Sequence, residues 1–129
     1  MSYQDVKDRL YRGHRKIANN TYLELVEKNG GEELISMRLH GHTVAVFYQD
    51  HLELFSAGWH TVTTKNRLNL ALLIGLWSYT SNIILNPGYI PQIYQANYQW
   101  YYGITFPYQK TDPKFYDGMK IGYDGRIIQ

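Results

Sequence analysis

Residues 21–54 read TYLELVEKNGGEELISMRLHGHTVAVFYQDHLEL, and the fold turns on how this stretch is divided. Thr21-Tyr22-Leu23-Glu24-Leu25-Val26 is β-prone, and Gly30-Gly31 reads as a hairpin turn, because two-residue hairpin loops need positive φ. Leu34–Leu39 follows as the partner strand. Thr43–Tyr48 is rich in β-branched and aromatic residues, and Gln49-Asp50-His51 reads as the next turn. In Leu52-Glu53-Leu54-Phe55 the polar and apolar positions alternate, which puts Leu52 and Leu54 on one face. Four short strands joined by tight turns predict an antiparallel meander.

The period then changes. Thr63 or Thr64 can cap a helix that begins at Lys65-Asn66-Arg67, since a threonine hydroxyl accepts a first-turn amide. Leu68, Leu72 and Leu76 run along this helix with Ala71 and Ile74. Gly75 weakens it, so its end is expected between Leu73 and Trp77. Upstream, Asp5–Tyr11 can form a short helix with Val6, Leu10 and Tyr3 on one side, stopped by Gly13. Downstream, Asn86-Pro87-Gly88 reads as a turn, and Ile90–Gln95 and Tyr98–Phe106 as strands joined near Ala96-Asn97. Pro107–Pro113 reads as a loop, and Met119–Ile121 with Arg126–Ile128 as a last hairpin across Tyr123-Asp124-Gly125. The expected fold class is α+β: mainly antiparallel β-sheet (a meander) with one central helix and a short N-terminal helix. At 129 residues this is one domain, 1–129. It divides into an arm or helix over 1–15, a core over 16–69 and a tyrosine-rich, largely uncharged extension over 70–129.

Lys plus Arg is 13 against 11 for Asp plus Glu, a net charge of +2. That balance excludes a histone-like chain and leaves nucleic-acid binding to a local patch. The absence of cysteine excludes disulfides, zinc–thiolate and iron–sulfur sites and thiol catalysis. Met1–Lys16 is charged and lacks the apolar core of a secretory signal. The longest apolar run, Leu70–Trp77, falls short of the roughly 20 residues that span a bilayer. A soluble protein without a membrane partner is expected, and no phosphate-binding or dinucleotide-type glycine pattern is present. Charge is unevenly placed: Lys7, Arg9, Arg12, Arg15 and Lys16 face Asp5 and Asp8, while residues 68–109 carry no charged residue and no histidine. So long an uncharged stretch, with Trp77, Trp100 and a series of tyrosines, must be core, interface or stacking surface.

Three linked segments carry a family likeness: Lys16-Ile17-Ala18-Asn19-Asn20-Thr21-Tyr22-Leu23, then Arg38-Leu39-His40, then Gly58-Trp59-His60-Thr61-Val62-Thr63-Thr64-Lys65-Asn66-Arg67-Leu68-Asn69. With Trp100-Tyr101 and Asp117-Gly118, they resemble a family of small proteins encoded by tailed bacteriophages and prophages. Its text runs Asn-Asn-Thr-Tyr-Leu, Arg-Leu-His, then Gly-Trp-x-Thr-x-Thr-Thr-Lys-x-Arg-Ile-Asn. The resemblance is close over residues 16–69 and looser beyond. It implies a phage origin and a soluble protein, and it implies no particular activity. The chain departs from that pattern after His40, where Gly41-His42-Thr43 replaces Asn-Thr-Asp and removes a carboxylate. Asp50-His51 stands for Asp-Gly, and Ala57-Gly58-Trp59 for Gly-Gly-Trp.

The polar residues of these segments form the candidate site. Asn20, Arg38, His40, Trp59, Thr63, Thr64, Lys65 and Arg67 can converge on an anion, because a helix N-terminus and cations favour negative charge and Trp59 can stack on a base. Each has a structural alternative: an Asx-type turn for Asn20, a helix cap for Thr63 and Thr64, and pairing to Glu24 or Glu53 for Arg38 and Arg67. His40 and His42, two apart, resemble a metal pair, with Asp50 or Glu53 as a possible third ligand, but the spacing demands none. No metal and no cofactor are expected. Tyr94, Tyr98, Trp100, Tyr101 and Tyr102 lack interleaved cations and read as a protein–protein interface of a homo-oligomer, a dimer in the simplest case. The leading expectation is a non-enzymatic phage accessory protein in the cytoplasm of the infected host cell. It would bind a nucleic acid or nucleotide-like anion, or a host protein in an anti-defence role. The alternatives are a metal-independent nuclease using His40, with cations on the developing charge, and a virion or assembly component.

Overall fold

The computed structural model describes residues 3–28, 30–76, 91–104 and 111–129. Its elements run α1 (Tyr3–Lys7), β1 (His14–Ala18), β2 (Thr21–Glu27), β3 (Glu33–Leu39), β4 (His42–Phe47), β5 (His51–Leu54), α2 (Val62–Leu76), β6 (Pro91–Ala96), β7 (Gln99–Ile104), β8 (Met119–Gly122) and β9 (Ile127–Ile128). Antiparallel pairing gives one sheet in the order β1-β2-β3-β4-β5-β8-β9, and β6 pairs with β7 in a separate hairpin. The fold is α+β and mainly antiparallel, with a short N-terminal helix and a central one.

Turn chemistry sets the meander. His40 and Gly41 join β3 to β4 with φ of 51° and 81°, the two positive-φ positions of a two-residue hairpin whose twist matches its strands. Gly30 and Gly31 occupy positive φ between β2 and β3, as the sequence predicts. The register then follows the hydrophobic pattern. Leu23 opposes Met37, which opposes Ala45, and this row continues to Leu54 and Met119. All five side chains are buried, so one face of the sheet is core. On it lies α2, through Leu68, Ala71, Leu72 and Leu76, each at most 1% exposed.

The differences from the sequence reading are local and have physical causes. The first helix spans Tyr3–Lys7 rather than Asp5–Tyr11: Tyr3 and Val6 are its buried residues, and Tyr11 is drawn into a bridge with His14. Strand β1, HRKIA, was not anticipated, because a charged edge strand shows no alternation of apolar residues. His51 belongs to β5 and not to the turn before it. Helix α2 starts at Val62, three residues before the expected Lys65, and ends at Leu76. The β6–β7 turn is Asn97-Tyr98, both at positive φ. The expected turn at Asn86-Pro87-Gly88 and residues 105–110 lie outside the described residues. No described helix is long and apolar enough to cross a membrane.

Gly75 has a packing reason to stand in the helix. A Cβ built there would lie 3.2 Å from Leu52 Cδ2 and 3.3 Å from Phe47 Cε1. The helix backbone therefore lies so close to the sheet that a side chain here would force Leu52 and Phe47 to give way. Gly75→Val is expected to lower stability by about 2 kcal/mol through overpacking, read as a fall in Tm of roughly 8 °C in circular dichroism melts. Leu73→Ala, at an exposed position of the same helix, should shift Tm far less.

Candidate functional site

The loop between β5 and α2 is held from below. Ser56 is fully buried, its amide donates to Asp117 Oδ1 at 2.7 Å, and its hydroxyl accepts from Gly58 N at 3.2 Å. Ala57 and Gly58 turn at φ of 55° and 80°, and Trp59 N donates back to Ser56 O. This tight turn presents the Trp59 ring outward, 59% exposed. Helix α2 is then capped by Thr61, whose Oγ1 accepts from Thr64 N at 3.1 Å. Neither Thr63 nor Thr64 is the cap. Thr64 is instead turned inward at 2% exposure, and Thr63 is left in the first turn with an exposed side chain.

Facing this helix start is the β3–β4 turn, tied to the β1–β2 turn where His40 N donates to Asn20 O at 2.9 Å. Between them lies a cavity of about 430 Å³ lined by Leu39, His40, His42, Val44, Ser56, Ala57, Trp59, Thr61, Thr63 and Thr64. Among the described residues that form its walls none carries a carboxylate. The first amides of an α-helix have no intrahelical partner. Thr64 N is taken by the cap, and Thr63, the next residue back, lines the cavity.

Half of the expected ligand-binding residues meet here: His40, Trp59, Thr63 and Thr64. The other four do not line the cavity. Arg67 reaches across to the sheet, where Nε donates to Thr21 Oγ1 at 2.7 Å and Nη2 to Asn19 O at 3.4 Å. Thr21 is fully buried and also donates to Asn19 O at 2.8 Å, so this guanidinium fastens α2 to the β1–β2 turn. Arg38 pairs with Glu24 at 3.6 Å on the sheet, one of the two partners the sequence offered. Lys65, the fourth residue of α2, closes its first turn away from the cavity walls, and Asn20 serves the turn at φ of 52°. Residues missed as part of the site are Ser56 and Thr61. The signal for Thr61 was present as a third threonine two before Thr63, but three candidate caps in four residues are not separable without the tertiary contact that buries Thr64.

The remaining histidines are engaged elsewhere. His51 Nδ1 lies 2.6 Å from Asp50 Oδ1 and its Nε2 3.4 Å from Glu53 Oε1. That hydrogen bond holds the Asp50 carboxyl below its usual range. His60 packs edge-on to Trp100 with ring centroids 4.7 Å apart. Among the described residues no three histidine or carboxylate side chains gather as metal ligands.

The five aromatic residues expected to form one contact face do not do so. Tyr94, Trp100 and Tyr102 are buried within the chain, at 8%, 5% and 4% exposure, whereas Tyr98 at the β6–β7 turn is 98% exposed. Tyr101 is half-buried and stacks on Tyr94. The physical reason is that the β6–β7 hairpin completes the core, and Tyr102 donates to Gly125 O at 2.6 Å. Burial pushes the Tyr102 and Tyr123 phenols above their ordinary range, and burial with the Glu33 carboxylate beside it raises Tyr3 to about 12.

These elements define an α+β protein with a cleft at a helix N-terminus. The chain matches the family model of the Kyanoviridae Gp96 protein over residues 2–122, nearly its whole length, and it belongs to that family of phage proteins. No curated protein and no solved structure matches it.

Two measurements follow from these contacts. Arg67→Ala should lower stability by about 2 kcal/mol, since a charged donor to a buried hydroxyl is lost, while Lys65→Ala should stay within about 0.5 kcal/mol of wild type; urea unfolding separates the two. The raised phenols make the fold sensitive to base. Their folded pKa values exceed the unfolded value near 10, so their contribution is complete below about pH 10 and is lost as pH rises through the folded values. An ultraviolet absorbance titration should show a subset of tyrosines that ionise only as circular dichroism reports unfolding, above about pH 11.

Proposed function

We propose that this phage protein binds a nucleotide-like anion in the cleft between the β3–β4 turn and the N-terminus of α2. The observation that carries the reading is the composition of the walls. An exposed tryptophan and the apolar Leu39, Val44 and Ala57 offer a surface for a ring, and the Thr63 hydroxyl and two imidazoles offer hydrogen bonds beside the start of a helix, with no carboxylate among these lining residues and the Asp117 carboxylate behind them engaged by the Ser56 amide. Helix N-termini favour phosphate because their amides and the helix dipole point at it. The expected contribution of Arg67 to binding is replaced in this reading by a structural one.

A second reading rests on His40 and His42 lining the same cleft. Two imidazoles can act as acid and base on a phosphodiester without a metal. The nuclease alternative thus gains a second histidine beside His40.

Isothermal titration with nucleoside monophosphates and diphosphates tests the first reading. Trp59→Ala should weaken binding about tenfold, in the range of a lost ring stack. Thr63→Glu should abolish it, because it puts a carboxylate in the cleft. The same glutamate is favourable to a helix first turn, so Tm should hold or rise and loss of binding cannot be charged to unfolding. Absence of binding by wild type removes the proposal. RNA cleavage that persists in EDTA and disappears in both His40→Ala and His42→Ala would establish the nuclease instead.

A further inference from the structure

Arg12 and Lys16 of the basic N-terminal segment and Arg38, none of which the cleft uses, come together on the other side of the sheet. Lys16 is the register partner of Tyr22, and Tyr22 is the register partner of Arg38. Leu23, Met37 and Leu39 point into the core at 1%, 0% and 7% exposure, so the alternating Tyr22 and Arg38 face solvent. Tyr22 therefore stands between two cationic residues whose backbone positions are about 10 Å apart across two strand spacings. His14 holds the Tyr22 ring in an offset stack, with centroids 5.3 Å apart and planes at 29°. At the start of the same edge, Arg12 lies over the ring of Tyr11, 5.3 Å from its centroid, and Tyr11 is 74% exposed. The facing carboxylate is Glu24, which touches Arg38 at 3.6 Å with both side chains about half exposed. Such a pair is worth little in water, and a phosphate can take its place.

We propose that the solvent face of β1–β2–β3 is a docking surface for single-stranded nucleic acid, with Tyr22 and Tyr11 as stacking platforms and Arg12, Lys16 and Arg38 on the phosphates. Interleaved rings and cations on an exposed face match a strand whose bases are free to stack, and they do not match a duplex, whose bases are already stacked inside. A polyanion without bases would find the cations but gain nothing from the rings. This surface lies on the opposite face of the sheet from α2 and its cleft, and the proposal does not depend on the ligand of that cleft.

Fluorescence anisotropy with labelled 12-nucleotide single strands of RNA and of DNA, at two salt concentrations, is the test. Both sugars are measured because stacking rings and phosphate-binding cations do not discriminate between them. Wild type should bind one or both strands, and Tyr22→Ala should weaken binding about tenfold, within the usual range for a lost base stack. Tyr22→Phe should restore it. Lys16→Ala with Arg38→Ala should weaken binding and reduce the salt slope by about 1.4, two phosphates' worth on a single strand. Should Tyr22→Ala fail to fold, Tyr11→Ala and the double cation variant decide the matter, since those side chains are exposed. Absence of binding overturns the proposal. Heparin or duplex competing as well as the single strand, with Tyr22→Ala binding like wild type, also overturns it and leaves a general cation patch. Loss in Trp59→Ala with none in Tyr22→Ala moves the strand into the cleft, which supports the earlier reading at the expense of this one.

Discussion

One helix cannot cover seven strands. An α-helix is about 10–12 Å across with its side chains, while strands spaced about 4.8 Å apart make a sheet of this order close to 30 Å wide. Helix α2 lies over the middle, against β3 and β4, pressed in at Gly75 against Phe47 and Leu52. The rest of the inner face needs other cover. On the β2–β3 side α1 supplies Tyr3 and Val6, and towards β8 the β6–β7 hairpin supplies Ile93, Trp100 and Tyr102, all part of one core cluster. Asn69 joins the two covers: its amide donates to Ile93 O at 3.0 Å and its carbonyl accepts from Ile93 N at 2.7 Å. The long uncharged segment is thus spent in part on roofing the sheet, where its aromatic residues bring more buried area per residue than aliphatic ones.

The same alternation that makes one face core also sorts the polar residues. His42 pairs with Leu39 at the end of the β3–β4 hairpin and turns with it towards the helix, while Arg38 pairs with Thr43 and faces away. The irregularity between Met37 and Arg38 adds a residue to β4 and shifts the pairing there. Arg67 and Arg38, which look alike as candidates for an anion, therefore end in different employment. One is a structural tie to Thr21 and Asn19, and the other a surface cation beside Tyr22.

Much of this was legible. Strands β2 to β5 were visible because their apolar residues alternate and their turns carry Gly or Asp, and α2 because Leu68, Leu72 and Leu76 repeat at four. His40, Trp59, Thr63 and Thr64 were grouped in the sequence with Asn20, Arg38, Lys65 and Arg67 as polar residues about a helix start, and these four line one cleft because the β3–β4 hairpin end lies beside that start. What stayed hidden depended on contacts between distant residues. Strand β1 carries no binary pattern because an edge strand needs none. Thr61 is the cap because Thr64 is needed inside. The destination of Arg67 is set by a hydroxyl 46 residues away in sequence. The buried tyrosines read as a surface because a hydroxyl makes the residue look amphipathic. The carbonyl of Gly125, which satisfies Tyr102 in the core, cannot be located from the sequence.

The junction of β5 with β8 sets an order of events during synthesis. Leu54 pairs with Met119, and Leu52 with Ile121, so the far edge of β5 is closed by a strand made more than 60 residues later. At translation rates of about 5–20 residues per second, that edge stays open for roughly 3–13 s after β5 leaves the ribosome. The meander is local and pairs early, whereas the closing strand must wait for the helix and the hairpin between them. During that interval β5 presents its unpaired amides and carbonyls to any other nascent chain in reach. Strand β5 is only His51–Leu54, and its His51 and Glu53 place polar groups along that temporary edge. Shortness and charge are the features that protect a strand from pairing with a stranger, and here they guard an edge that exists only while the protein is being made.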